Sequence, residues 1–259
     1  MVVRQRQTLL FVVTVLLAAI FTVMAVQAQD DENAAVKIQF DGHSFDLPRG
    51  IADGVSAFIV DAPTEIPSGD FPQPPRTEFR LQIYTEEIGT QPPTGWVNVY
   101  NASDLEGSPA YEQYQRLQSI LSEHPDLNAE TSLPTLYAYQ KSALPPDRYT
   151  EFFVNASYLE TAGYQGITFI YGRVISAGDS HILFYRQYFE GLSTDGQRYL
   201  SAQVEGLPEL IDSLEDITDA AEYVTQAKAL FDEPADAAVI AWINEANVLF
   251  ASFDYNGES

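Results

Sequence analysis

Three arginines are the residues of this sequence best placed to bind a ligand. Arg173, Arg186 and Arg198 fall one on each of three consecutive segments with the alternating pattern of β-strands. Strands joined by short turns pair antiparallel, so two of these guanidinium groups can lie side by side on one sheet face. Guanidinium groups bind carboxylates and phosphates through paired hydrogen bonds. The three arginines therefore form a candidate site for an anion or another small ligand.

A structural network is the competing interpretation of the same arginines. Three acidic residues lie close to them in the sequence or on the next strand: Glu151, Glu190 and Asp195. A buried or half-buried guanidinium group needs an anionic partner, and these residues could supply it. The sequence leaves both interpretations open.

The other reactive residue types do not form a catalytic set. The three histidines, His43, His124 and His181, lie far apart, and none has the spacing of a metal-binding motif. Ser193 lies between Gly191 and Gly196 in a segment that resembles a nucleophile elbow. It lacks the Gly-x-Ser-x-Gly pattern, however, and joins strand to strand rather than strand to helix. We therefore assign no catalytic residue, no metal ligand and no cofactor.

Acidic residues recur at helical spacing near the C-terminal third of the chain. Asp212, Glu215 or Asp216, and Asp219 would lie along one face of a helix whose other face carries leucine and isoleucine. A solvated helix face explains this pattern. A weak calcium site is the alternative, because calcium prefers clustered oxygen ligands.

The N-terminal segment has the features of a secretory signal peptide. Arg4 and Arg6 precede an uncharged apolar run over residues 8–26, and small residues end it at Ala28. We predict a signal peptide over residues 1–28, or alternatively an uncleaved membrane anchor, because the apolar run is long. Residues 29–35 are predicted to be a disordered lead-in, and residues 36–255 a single domain. The protein is thus expected to be secreted or extracytoplasmic, and to be tethered to the membrane if the leader is retained.

The charge of the chain restricts its partners. The 259 residues carry a net charge of −24, and no residue is cysteine, which excludes disulfides and thiolate metal sites. Loss of residues 1–28 would remove two arginines and no acid, and would leave 11 basic and 37 acidic residues. Such a chain repels nucleic acids and anionic membrane surfaces, apart from contact through an N-terminal anchor. A protein or a small molecule is the expected partner.

Three consecutive strands organise the rest of the prediction. The segments 164–175, 181–192 and 197–204 alternate in side-chain character and are separated by the turns 176–180 and 193–196. Both faces of the first two strands are apolar, which predicts that each strand is covered on both sides, Ile182 and Phe184 included. The third strand has a wetter face, formed by Tyr199, Ser201 and Gln203, and is predicted near an edge of the sheet.

Further strands and helices flank this meander. Strand patterns cover residues 36–40, 43–47, 54–61, 77–84, 96–100 and 149–155. Helical spacing predicts a helix that Ser108 and Pro109 begin, a second over residues 207–217, a third capped by Asp219, and a fourth that Pro234 begins. This order predicts an α+β fold, with a mainly antiparallel sheet covered by helices and with helices at the C-terminus.

One turn carries a resemblance to a known family. Phe189, Gly191, Leu192, Asp195 and Gly196, with Ser193 in the place of a threonine, match the Phe-x-Gly-Leu-Thr-x-Asp-Gly strand-turn motif of a family of uncharacterised exported bacterial proteins. The resemblance implies export and a fold, and no chemical activity. The order of elements also resembles the PsbP/Mog1-like α/β/α sandwich in layout.

Three function classes follow from these observations. The first is a non-enzymatic extracytoplasmic domain with a binding or accessory role. The second is a hydrolase that uses a pair of carboxylates, which would have to face each other across roughly 5–10 Å. The third is a cation-binding acidic surface protein.

Overall fold

Antiparallel β-strands are the main elements of the part of the chain that the structure describes. The computed structural model describes residues 35–40, 42–48, 57–61, 77–84, 95–124, 126–127, 149–206 and 213–255. The strands are β1 (Val36–Phe40), β2 (His43–Leu47), β3 (Ala57–Asp61), β4 (Thr77–Tyr84), β5 (Gly95–Asn101), β6 (Tyr149–Glu160), β7 (Tyr164–Ala177), β8 (Ser180–Ser193), β9 (Arg198–Glu205) and β10 (Asp254–Tyr255). The helices are a 3-10 turn (Ala102–Asp104), α1 (Pro109–Glu123), α2 (Ala220–Asp232) and α3 (Ala237–Ala251).

These strands form two sheets. The larger has seven strands in the order β3-β4-β5-β9-β8-β7-β6, and the smaller has three in the order β1-β2-β10. Strands β7 and β8 pair along their full length, from Tyr164 opposite Ser193 to Ala177 opposite Ser180. Strand β9 then pairs with the second half of β8. The predicted meander and the α+β class with an antiparallel sheet are confirmed by this topology.

Helices cover both faces of the larger sheet. Helix α1 packs on one face, which we call the α1 face, through Leu117 and Ile120 against Ile167, Leu192 and Tyr199. The opposite face is covered by α2, α3 and the smaller sheet. Its core side chains are apolar and closely packed; they include Phe152, Ile170, Leu183, Tyr185, Phe189, Val97, Leu200, Phe231, Trp242, Ile243 and Phe250.

The predicted helix starts are mostly found at the expected residues. Ser108 is the N-cap of α1, and Pro109 follows in the first turn. Asp219 caps α2 by accepting a hydrogen bond of 2.8 Å from the Glu222 backbone N–H. The last helix begins at Ala237 rather than at Pro234. Its cap is Asp236, whose carboxylate accepts from two backbone N–H groups of the first turn.

The prediction that β9 lies near an edge is wrong. Strand β9 lies between β5 and β8 in the interior of the sheet. Its polar face is not solvated either, because Tyr199 and Gln203 are both buried. The neighbour on the far side, β5, precedes β9 by about a hundred residues in the chain. Local alternation therefore carries no information about this pairing.

The prediction that both faces of β8 are covered is also wrong at its first residues. Ile182 is 55% exposed and Phe184 is 50% exposed, whereas Leu183 and Tyr185 on the opposite face are buried. The reason is that β9 pairs with β8 only from Arg186 onwards. The β7–β8 hairpin thus extends beyond β9, and of the elements that the structure describes, α2 and α3 cover one face of this extension.

The helix predicted over residues 207–217 is not found where the chain is described. Residues 207–212 lie outside the described ranges, and residues 213–219 form a 3-10 turn followed by non-helical backbone. The predicted signal peptide, its anchor alternative and most of the predicted lead-in also lie outside the described residues. Within those ranges, no helix combines the length and the apolar character needed to cross a membrane.

Candidate functional site

Arg173 lies in a closed cluster on the α1 face. Its partner on the neighbouring strand β6 is Glu151, and the Nη2 of Arg173 donates to Glu151 Oε1 at 2.9 Å. The Nε of Arg173 donates to the Tyr171 hydroxyl at 2.7 Å, and that hydroxyl donates to the same Glu151 oxygen. The guanidinium group also lies 4.9 Å from the ring centre of Tyr149. Burial and the hydrogen bond to Glu151 raise the pKa of Tyr171, so its hydroxyl stays protonated.

Arg186 repeats this arrangement on the next strand. Its partner on the neighbouring strand β9 is Glu205, and the Nη2 of Arg186 donates to Glu205 Oε1 at 2.9 Å. The guanidinium group stacks over Trp96 of β5, 5.0 Å from the centre of the ring. The partner of Arg186 on β7 is Tyr171, so the two arginine clusters share one sheet face.

Arg198 does not join the other two arginines. It lies at the first position of β9 and alternates to the face opposite Glu205. Its guanidinium group is 3.6 Å from Asp195 and lies 4.2 Å above the ring centre of Tyr255. Of the three candidate arginines, only Arg173 and Arg186 therefore lie on the same sheet face. Of the three acids proposed as partners, Glu151 and Asp195 are confirmed, and Glu190 is replaced by Glu205.

Together, the paired arginines and their aromatic supports form a continuous layer. We call it the arginine–tyrosine surface; its members are Trp96, Tyr149, Glu151, Tyr171, Arg173, Arg186 and Glu205. The arginine side chains are 34% and 35% exposed, so one edge of each guanidinium group faces outward. The exposed apolar residues of the hairpin adjoin this layer, because Phe184 is the strand partner of Arg173 and Ile182 that of Ile175.

Ser193 and Asp195 shape a turn and are not arranged for nucleophilic catalysis. Ser193 is buried; its hydroxyl donates to the Asp195 carboxylate and accepts from the Arg198 backbone N–H at 2.9 Å. Asp195 also accepts from the Gln197 N–H, and Gly196 takes a positive φ of 71°. The hydrogen bond from Ser193 lowers the pKa of Asp195. The strand-turn motif noted in the sequence is thus explained by hydrogen bonds that close the β8–β9 turn.

Glu190 is the ionisable residue whose role the sequence did not reveal. It lies on the α1 face of β8, between Ile167 of β7 and Ser201 of β9, and is 6% exposed. Burial raises its pKa to about 7, which a hydrogen bond with Tyr199 and the charge of Arg116 on α1 only partly oppose. The sequence did contain one sign of this burial, because Glu190 is an acidic residue within a mostly apolar strand.

The three histidines make local structural contacts. His181 bridges the Ser176 hydroxyl at 2.8 Å and the Thr218 carbonyl at 2.9 Å, which ties the β7–β8 hairpin to the start of α2. His43 contacts the Tyr164 hydroxyl at 3.2 Å inside the core. His124 is the C-cap residue of α1. Among the described residues, no group of three or more histidines and acids is arranged to hold a metal ion.

The backbone positions of three acids on the α1 face, Glu151, Glu190 and Glu205, are farther apart than the carboxyl groups of a glycosidase pair. Glu151 and Glu205 belong to β6 and β9, three strand spacings apart, or about 14 Å. Glu190 lies four residues along β8 from the partner of Glu205, or about 13 Å. The acids predicted to line a helix from Asp212 to Asp219 do not do so, since residues 213–219 are not α-helical and Asp212 lies outside the described ranges.

Comparison with known proteins finds similarity to solved structures alone. No family model matches the chain, and no curated protein does. Among solved structures, the solution structure of cyanobacterial PsbP (CyanoP) from Synechocystis is similar to 79% of this chain and 95% of its own, at 11% identity. The order of elements in the sequence had suggested a PsbP/Mog1-like layout. The TM-score is 0.28, so this likeness carries no conclusion about function.

Proposed function

We propose that this protein is an exported, extracytoplasmic domain that binds a partner protein through the arginine–tyrosine surface and performs no chemistry of its own. The observation that carries the proposal is the exposure of Ile182 and Phe184 beside Arg173 and Arg186 on one sheet face. Large apolar side chains that adjoin one another at a surface mark interaction sites. Arginine, tyrosine, tryptophan and phenylalanine are also the residues that contribute most to binding at protein interfaces.

The state of the arginines supports recognition rather than catalysis. Glu151 and Glu205 hold the two guanidinium groups at their strand positions, and aromatic rings support them from the side. Side chains fixed in this way lose little entropy when a partner binds. A partner therefore meets a rigid, locally neutral surface of two positive and two negative charges.

The charge of the whole chain indicates the kind of partner. With a net charge of −24, the protein attracts a basic molecule over a long range and repels another copy of itself. We expect a partner protein with an apolar contact region bordered by lysine or arginine.

A photo-crosslinking experiment tests this proposal. A photoreactive phenylalanine analogue is introduced at Ile182 in the full chain in the producing cells, with Val248 as the matched control, since it is 53% exposed on α3. We expect a discrete adduct with a second protein from position 182 and none from position 248. Adducts only between copies of this chain, or equal adducts from both positions, would contradict the proposal.

Measurements with the crosslinked partner then assign the contribution of single residues. The Phe184→Ser variant is expected to bind the purified partner about tenfold or more weakly, as interface hot spots do, whereas Val248→Ser binds it as the parent does. Equal affinities of the two variants would exclude Phe184 from the interface.

The export part of the proposal rests on the sequence of residues 1–28. Mass spectrometry of the protein from the producing cells distinguishes the two possibilities. A first residue of Gln29 supports a cleaved signal peptide, and an intact Met1 in the membrane fraction supports an anchor.

A further inference from the structure

Helix α1 covers the continuation of the arginine–tyrosine surface. The ring of Tyr171 contacts the ring of Tyr188 edge-to-face, with 6.3 Å between the ring centres, and Tyr188 stacks on Phe169 at 5.2 Å. We call these three rings the aromatic layer. Phe169 belongs to the cluster on which Leu117 and Ile120 of α1 pack. Release of α1 would therefore enlarge the exposed aromatic layer without any change in the sheet.

Glu190 lies beneath this helix, where an ionised carboxylate is poorly solvated. Its surroundings contain three titratable or charged groups: Arg116 on α1, Tyr199 on β9 and Tyr188 on β8. The residue beside it on β7 is the uncharged Ile167. Arg116 is itself shared with Glu112, 3.8 Å away on the outer side of the helix, and is 42% exposed. Arg116 is thus a partial counter-charge to Glu190.

We infer that α1 is a pH-controlled cover of the aromatic layer. The helix is docked on the sheet when Glu190 is protonated and is released when Glu190 ionises. The importance of this switch rests on the proposed function, because it would regulate the size of the binding surface. The direction follows from burial: a carboxyl group with a raised pKa under the docked helix prefers to keep its proton there. Rising pH therefore favours the open helix, and the effect levels off above the pKa of the docked form.

Thiol labelling measures this opening directly, since the natural chain has no cysteine. Ile120→Cys places a thiol under α1, and Ser119→Cys places one on the exposed side of the same helix. The ratio of the two labelling rates corrects for the ionisation of the thiol. With pKa values of 4.5 and about 7 for the open and docked states, we expect this ratio to rise roughly tenfold from pH 6 to pH 8.

Two variants assign the effect to Glu190. In the Glu190→Gln background the ratio should stay constant with pH. In the Glu245→Gln background it should still rise, although burial raises the pKa of Glu245 as well, because that residue lies on α3 across the sheet. A ratio that is constant in the parent, or that rises equally in Glu190→Gln, would overturn the inference.

A third cysteine distinguishes local opening from unfolding. Ala246→Cys lies in the core under α3, and its labelling should stay slow at pH 8. Fast labelling there would show that the whole fold opens, which also overturns the inference. This experiment contains no partner, so its failure leaves the crosslinking test of the proposed function unaffected.

Discussion

The replacement of Glu190 by glutamine tests how a buried carboxyl group makes the stability of this fold depend on pH. Glu190 is 6% exposed, and its pKa is raised from 4.5 to about 7 in the folded chain. That difference corresponds to about 3 kcal/mol of free energy that disfavours the ionised carboxyl in the folded state. Glutamine keeps the size and an oxygen that can accept a hydrogen bond from Tyr199, but it cannot ionise.

The sign of the pH dependence follows from proton uptake. Between pH 4.5 and 7 the folded chain holds a proton on Glu190 that the unfolded chain has lost, so stability falls as pH rises through this range. Above about pH 7 both states are ionised, and this residue adds no further slope. Glu190→Gln should therefore be about 3 kcal/mol more stable than the parent at pH 8 and close to it at pH 4.

Urea unfolding followed by circular dichroism, at pH 4, 6 and 8, gives the difference between the two chains. Other titrating groups cancel in that difference, including Asp195, whose lowered pKa produces the opposite slope. Glu106→Gln, at an exposed position, is the control and should differ little from the parent at any pH. A stability gain of Glu190→Gln that does not change from pH 4 to pH 8 would refute the reasoning.

Three further replacements test other interactions of the fold. Gly172→Ala should cost about 1–3 kcal/mol in urea unfolding, because the new Cβ would lie 2.1 Å from the ring of Phe152; combination with Phe152→Leu should recover part of the loss. Asp236→Ala removes the cap of α3 and should cost about 1 kcal/mol, while Asp236→Asn costs less. Glu151→Gln should lower the pKa of Tyr171 in a spectrophotometric titration; an unchanged value would mean that burial alone sets it.

Local sequence signals were sufficient for the meander and the last helix. Alternation and the Asp195–Gly196 turn located β8 and β9, and the helical spacing of Val239, Ile243 and Phe250 located the buried face of α3. Each of these signals depends on residues close together in the chain. Predictions of this kind succeed because the period of the apolar residues directly reflects which face is buried.

Features set by distant pairing were not predictable in the same way. Strand β5 lies beside β9 because the chain returns to it after β6, β7 and β8. That return gives Arg186 its stacking partner Trp96 and places its own partner Glu205 on an interior strand. For the same reason the sequence suggested Glu190 as an arginine partner, although α1 covers it.

The two faces of the large sheet explain why the proposed binding surface lies where it does. One face is filled with apolar side chains that α2, α3 and the smaller sheet cover, and the hydrophobic effect stabilises this half of the fold. Within the described ranges, helix α1 covers one end of the other face. At the opposite end, ion pairs and stacked rings take over the role of a packed helix for Arg173 and Arg186, while Phe184 stays half exposed. Because half of its surface stays in water, Phe184 gains less from the hydrophobic effect than a core phenylalanine, and its exposed half is available for the contact proposed above.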